Sequence, residues 1–175
     1  GIVTMEHRGD IDLIGMDNPP VNALSPEVVA GLAAAVDAFE ADRSYAALLL
    51  HCEGRTFVAG GDITSFDDPD FSAALYNGTL GRIEALDRPV AAALHGTVLG
   101  GGLELAVGCH YRVVAPGTSV ALPEVKLGLI PGANGLLRVA ERSGLQTALD
   151  LGLTGKNTRA AKAKKLGLID EVCPT

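Results

Sequence analysis

Three consecutive glycines, Gly100–Gly102, stand between an apolar run, Val90–Leu94, and the pattern Leu103, Leu105, Ala106, Val107. The first run reads as a buried strand and the second as a buried helix. Glycines at such a junction raise the entropy lost on folding. They are tolerated where main-chain N–H groups must come close to something. A helix N-terminus also offers unpaired donors and the positive end of a dipole, which can hold a developing oxyanion. Glu104 lies just inside that helix in apolar surroundings. An apolar pocket raises a carboxyl pKa and lets it carry a proton near neutral pH. A second isolated acid, Glu124, follows Pro123 in another apolar run. Pro116, Gly117 and Pro123 keep the two acids off one helix face, so only the tertiary fold can bring them together.

Each piece also has a plain structural reading. A glycine triplet serves tight turns and close helix packing. A first-turn glutamate complements the helix dipole. Spacing alone leaves paired acid/base chemistry and simple packing both open.

Blocks in order carry a specific resemblance: Asn22-Ala23-Leu24-Ser25, Thr56-Phe57-Val58-Ala59-Gly60-Gly61-Asp62-Ile63, Gly96–Ala106, Cys109-His110-Tyr111-Arg112, and Leu122–Ala133 with Pro123-Glu124 inside it. The chain resembles the enoyl-CoA hydratase/isomerase (crotonase) superfamily from about Asn18 to its C-terminus. It is similar in particular to the hydratase/isomerase part of multifunctional, peroxisomal bifunctional-type fatty-acid β-oxidation enzymes. The resemblance implies an α/β fold, a crotonase-like spiral of repeated ββα units over residues 1–175 as a single domain core, with the family's C-terminal helical region missing. It implies that Glu104 and Glu124 are catalytic and that the N–H groups of Gly61 and Gly101 form the oxyanion hole. It places Ala23, Leu24, Ala59, Gly60, Asp62, Ile63, Gly100 and Gly132 along the substrate and coenzyme A.

The implied reaction is syn hydration of a trans-2-enoyl-CoA, with Δ3–Δ2 isomerisation on the same site, or a non-catalytic binding or assembly module, as alternatives. Coenzyme A is then part of the substrate, and no separate cofactor or metal is expected. A homotrimer, or fusion to or association with a 3-hydroxyacyl-CoA dehydrogenase, is the implied assembly. Neither the triplet nor Gly60-Gly61 fits a dinucleotide fingerprint or a phosphate loop with its lysine.

Two departures from the family pattern stand out. Gly61 occupies a position often held by Ala, which keeps the N–H and loosens the loop. Where the family reads Pro-Gly-Ala-Gly-Gly-Thr-Gln-Arg-Leu-Pro, this chain reads Pro131-Gly132-Ala133-Asn134-Gly135-Leu136-Leu137-Arg138-Val139-Ala140. Loss of Thr-Gln is expected to leave the loop after Glu124 less firmly held.

The rest of the chain reads locally. Ile2–Glu6 and Ile11–Met16 flank Arg8-Gly9-Asp10 as a hairpin. Ser25 followed by Pro26 starts a helix that runs to about Ala41, with Val28, Val29, Leu32, Val36 and Phe39 inward. Ala46–His51 is a buried strand. Asp67-Asp68-Pro69-Asp70 leads into a helix from about Phe71 to Leu86, and Phe66, Phe71, Leu75 and Tyr76 are candidates for an acyl pocket. Leu145–Gly155 is helical, Asn157 or Thr158 caps a further helix, and Leu168–Val172 forms a last strand.

The formal charge of −7 argues against a nucleic-acid or anionic-membrane surface. The cluster Lys156, Arg159, Lys162, Lys164, Lys165 reads as a solvated face or as a partner for coenzyme A phosphates. Cys52, Cys109 and Cys173 read as reduced core thiols, and His51 and His95 as structural. No run is long enough to span a membrane and no signal peptide is present, so a cytoplasmic protein is expected, or one of the peroxisome or mitochondrial matrix in a eukaryote.

Overall fold

The computed structural model describes residues 1–65 and 72–174. Its strands are β1 (Val3–Arg8), β2 (Ile11–Met16), β3 (Ala47–Cys52), β4 (Val90–Leu94), β5 (Thr97–Leu99), β6 (Tyr111–Val114), β7 (Ser119–Ala121), β8 (Thr158–Arg159) and β9 (Glu171–Val172). Its α-helices are α1 (Pro26–Ala41), α2 (Ala73–Ala85), α3 (Gly101–Gly108), α4 (Gly135–Ser143), α5 (Leu145–Thr154) and α6 (Ala160–Lys165). Two 3-10 helices span Ile63–Ser65 and Pro123–Leu127.

Six strands form one sheet in the order β1-β2-β3-β4-β6-β9. The β1/β2 hairpin is antiparallel and the remaining pairs are parallel. The parallel strands β3 and β4 are short apolar runs with one face fully buried and the other partly covered. A second sheet runs β5-β7-β8. The chain repeatedly lays a strand in the large sheet, then one in the small sheet, then a helix. The units β4–β5–α3 and β6–β7–3-10 helix show this most plainly. This is the expected spiral of ββα turns.

Local signals explain the helix starts. Ser25 Oγ accepts from the Val28 N–H at 3.3 Å, with Pro26 at the first helical position. Ser72 Oγ accepts from the Leu75 N–H at 3.0 Å, so α2 begins at Ala73. The five predicted inward residues of α1 are all buried.

Several expectations need correction. Neither Asn157 nor Thr158 caps α6. Thr158 pairs with Val120 in β8, and Arg159 holds the cap position without a side-chain bond. The last strand is two residues long because Leu168 and Ile169 are spent in the core before it. Cys52 and Cys109 are buried, but Cys173 is exposed beside the chain end and is no core thiol. Phe66, Phe71 and the Asp67–Asp70 linker lie outside the described residues. Among the described residues no helix is long and apolar enough to cross a membrane.

Below α3, Arg112 is fully buried. Its Nη1 donates to Ala106 O and Cys109 O at 2.8 and 2.5 Å, and its Nη2 to His110 O at 3.1 Å and Asp170 Oδ2 at 2.8 Å. Asp170 Oδ2 also accepts from the Arg112 N–H at 2.8 Å. This knot fastens the C-terminal end of the glycine-led helix to the large sheet.

Candidate active site

Main-chain pairing assembles the site. A bridge joins Leu24 to Gly61, and another joins Ala59 to Leu99. Beyond Leu99, β5 pairs with β7 through Leu99 and Ala121. Four distant stretches therefore lie side by side: 22–25, 59–62, 97–101 and 119–122. In the first bridge Leu24 donates to Gly60 O at 3.0 Å and Asp62 donates to Leu24 O at 3.2 Å. That pattern turns the Gly61 N–H to the opposite side. The Gly101 N–H opens α3, where no intrahelical carbonyl is available. Among the described residues neither N–H has a protein acceptor.

The first three of these stretches, with Pro123-Glu124 just after the fourth, wall a cavity of about 390 Å³. Of the predicted residues, Gly61, Gly101, Glu104 and Glu124 all line it. So do Leu24, Ala59, Gly60, Ile63, Gly100 and Gly132. Ala23 and Asp62 do not reach it. Ala23 O accepts from Asn18 Nδ2 at 2.8 Å within its turn. The Asp62 carboxylate accepts from the Thr64 N–H at 3.0 Å and from the hydroxyls of Thr64 and Ser65 at 2.6 and 3.1 Å. Those bonds hold its pKa below the usual carboxylate value.

Glu104 is 3% exposed. Its Oε1 accepts from the N–H groups of Ala133 and Gly135, both at 2.9 Å. Burial pushes its pKa up, against the pull of those two donors and of the Arg138 guanidinium. A Cβ on Gly135 would sit 2.6 Å from Glu104 Cγ, so the turn reaches the carboxylate only as glycine.

Glu124 comes from the 3-10 helix on the other wall. It is half-buried, and its Oε2 is buried without a hydrogen-bond partner among the described residues. Burial raises its pKa, and the Glu104 charge raises it further. Gly100 adopts φ +52°, and a Cβ there would lie 2.7 Å from Glu124 Oε1. The first glycine of the triplet therefore both permits the turn and clears space for the acid.

A carboxyl whose folded pKa is raised keeps a proton that the unfolded chain has already released. Stability therefore falls as pH rises from the ordinary glutamate value through the raised one. Glu104→Gln is expected to remove part of that slope. Thermal unfolding measured from pH 4 to 9 checks this: the variant gains on the parent as pH rises, and parallel curves would contradict it.

Leu136 packs on the core and Leu137 is exposed. Both bonds from the 133–135 turn to Glu104 are main-chain ones and do not use the side chains at the Thr-Gln positions. Asn134 makes this possible by adopting φ +59°, a left-handed value that asparagine tolerates better than most residues. Asn134→Ala is expected to be less stable than Asn134→Gly by about 1 kcal/mol, measurable by urea unfolding.

Tyr76 also lines the cavity, and its hydroxyl donates to Gly101 O at 2.6 Å. Leu75 turns outward instead. Residues not foreseen include Val29, Asn77, Leu127, Leu129 and Ile130 on the wall, and the Ala133 and Gly135 donors. Asn77 Nδ2 donates to Gly132 O at 3.1 Å. The basic cluster stays off the cavity wall, and Lys156 pairs with Asp150. His95 Nε2 donates to Gly54 O at 3.1 Å, away from the cavity.

The enoyl-CoA hydratase/isomerase family model matches residues 6–175. A Bacillus subtilis protein named probable enoyl-CoA hydratase is 38% identical over 165 residues, which cover 91% of this chain and 64% of that protein. The peroxisomal bifunctional enzyme of Cavia porcellus is 38% identical over 162 residues, covering 91% of this chain and 22% of that protein. The chain thus spans less than two thirds of each of these relatives. An enoyl-CoA hydratase crystal structure from Geobacillus kaustophilus matches 99% of this chain and 68% of its own, at 29% identity and a TM-score of 0.93.

Proposed function

The chain belongs to the enoyl-CoA hydratase/isomerase family and has the crotonase fold, and from that premise we propose that its cavity hydrates trans-2-enoyl-CoA thioesters. The observation that carries this reading is geometric: Glu104 and Glu124 line one cavity together with Gly61 and Gly101, whose N–H groups have no acceptor among the described residues. The thioester carbonyl accepts from Gly61 and Gly101. Those donors draw charge from the alkene and stabilise an enolate-like transition state, worth about 3–4 kcal/mol per donor where such a group has been removed from an oxyanion hole. Water adds its oxygen to C3, helped by Glu104 taking its proton. Glu124 delivers a proton to C2 on the same face. One acid must be charged while the other is neutral, and a shared apolar site favours unequal protonation. Coenzyme A enters with the substrate, and the reading invokes no resident cofactor.

Glu124 Oε2, buried with no partner among the described residues, also favours a second reading, in which Glu124 alone moves a proton between C4 and C2 of a 3-enoyl-CoA. The product of hydration is a 3-hydroxyacyl-CoA, which suits a dehydrogenase acting next, as a fused or associated neighbour. A homotrimer is the other assembly this reading accommodates.

The test is loss of the conjugated enoyl-thioester absorbance when the protein is mixed with crotonyl-CoA. Hydration is the expected result. Binding of the thioester without turnover would favour a binding or assembly role.

A further inference from the structure

Arg138 has no place in the reaction just described, yet it is only 7% exposed and its guanidinium is held on two sides. Nη1 donates to Ala133 O at 2.6 Å. Nε and Nη2 both donate to Glu84 Oε2, at 3.2 and 3.0 Å. Ala133 is the residue whose own N–H holds Glu104. A line of contacts therefore runs from Glu84 on α2, through Arg138 on α4, to the carboxylate on α3. Burying a guanidinium is expensive, and its pair with half-exposed Glu84 returns little of that stability. What the arrangement does supply is a rigid planar fork aimed at the 133–135 turn.

We infer that Arg138 and Glu84 are a positioning pair for Glu104: Arg138 seats the turn that clamps the carboxylate, and Glu84 orients the Arg138 charge and partly offsets it. The inference rests on the reading of Glu104 as the water-activating acid.

The groups around Glu104 come from three other elements. Arg138 faces it from α4, Tyr76 from α2 with Glu84 behind Arg138, and Glu124 from the 3-10 helix. The Cys109 thiol at the end of its own helix is pushed up to about 12 by burial and stays neutral. Of the charges acting on Glu104, Arg138 is the positive one, and it favours the ionised carboxylate. Removing Arg138 must therefore make Glu104 hold its proton more tightly. Glu84→Gln keeps the shape and the acceptor oxygen but deletes a negative charge, so the Arg138 charge acts undiluted and Glu104 releases its proton more easily. The two substitutions have opposite signs, whereas a purely structural pair would move Glu104 in one direction only.

The experiment uses protein labelled with carboxyl-13C glutamate, with Glu104 assigned by its absence in Glu104→Gln. Its titration is followed by NMR in the parent, Arg138→Met, Arg138→Lys and Glu84→Gln, and needs no turnover. The midpoint is expected to rise in Arg138→Met, stay near the parent in Arg138→Lys, and fall in Glu84→Gln. In crotonyl-CoA hydration the matching limb of the pH profile shifts the same way, and Arg138→Met loses about ten- to a hundredfold in kcat with little change in KM. Should Arg138→Met fail to fold, the Glu84→Gln arm still decides the sign. Unmoved midpoints, or Arg138→Met and Glu84→Gln shifting the same way, overturn the inference. A fully active Glu104→Gln overturns the proposed reaction instead, a different result from the titration.

Discussion

Glu124→Gln is expected to cut hydration of crotonyl-CoA by about 10²- to 10⁴-fold while leaving binding of the thioester within a few fold. The substitution preserves size and the packing against Gly100, where there is room for the side-chain oxygen only because no Cβ is present. It removes the one property the reaction needs at that point, an oxygen that gains and loses a proton. In the parent that oxygen is buried and has no hydrogen-bond partner among the described residues. Steady-state kcat from the enoyl absorbance, with calorimetric binding of a non-reactive acyl-CoA, separates the two effects. Activity within tenfold of the parent would remove Glu124 from the reaction. Isomerisation from a 3-enoyl-CoA is expected to disappear in the same variant, since both readings use the same acid.

Asp170→Ala is expected to produce the largest loss of stability, about 3 kcal/mol, because it strands the Arg112 charge in the interior. Arg112 is fully buried, and its other partners are neutral carbonyls of Ala106, Cys109 and His110. Arg142 also donates to Asp170, at 3.3 Å, so a second cation is left unpaired. For a domain of this size that loss corresponds to a drop in Tm of about 6–12 °C. Differential scanning calorimetry reads it directly. A double variant, Asp170→Ala with Arg112→Met, should recover part of the loss, because the penalty lies in the orphaned charge.

The parts legible from sequence were those with local causes. Ser25 and Pro26 mark α1, and the alternation into Gly100–Gly102 marks the strand-to-helix junction at the centre of the site. The resemblance supplied residue positions that spacing alone left open, and ten of the twelve named residues line one cavity. The helix α4 was not legible. Its cap residue, Asn134, sits in the left-handed region and makes no side-chain capping bond, so the contact that normally marks a helix start is missing. The 3-10 helix carrying Glu124 is five residues long and too brief to show a period. Ala23 and Asp62 sit in the right blocks but are engaged in their own loops, Ala23 through its carbonyl with Asn18 and Asp62 through three bonds with Thr64 and Ser65. Glu84 and Asp170 are ordinary surface acids in sequence. Their partners lie 54 and 58 residues away, and nothing nearby in the chain foretells them.

The large sheet grows in the order in which the chain is made: β1, β2, β3, β4, β6, β9. No strand must be inserted between two that already exist. Each newly synthesised strand can dock on the open edge left by its predecessor and become the next edge in turn. A chain emerging from the ribosome can therefore add one layer at a time, N-terminus first, with a single exposed edge on the growing side at each stage. The last increment, β9, brings Asp170 to Arg112 and seals the charge beneath the glycine-led helix. Until that strand arrives the scaffold of the cavity is laid out but not locked, so the helix that carries Glu104 is fastened only once residues 170–172 have joined the sheet.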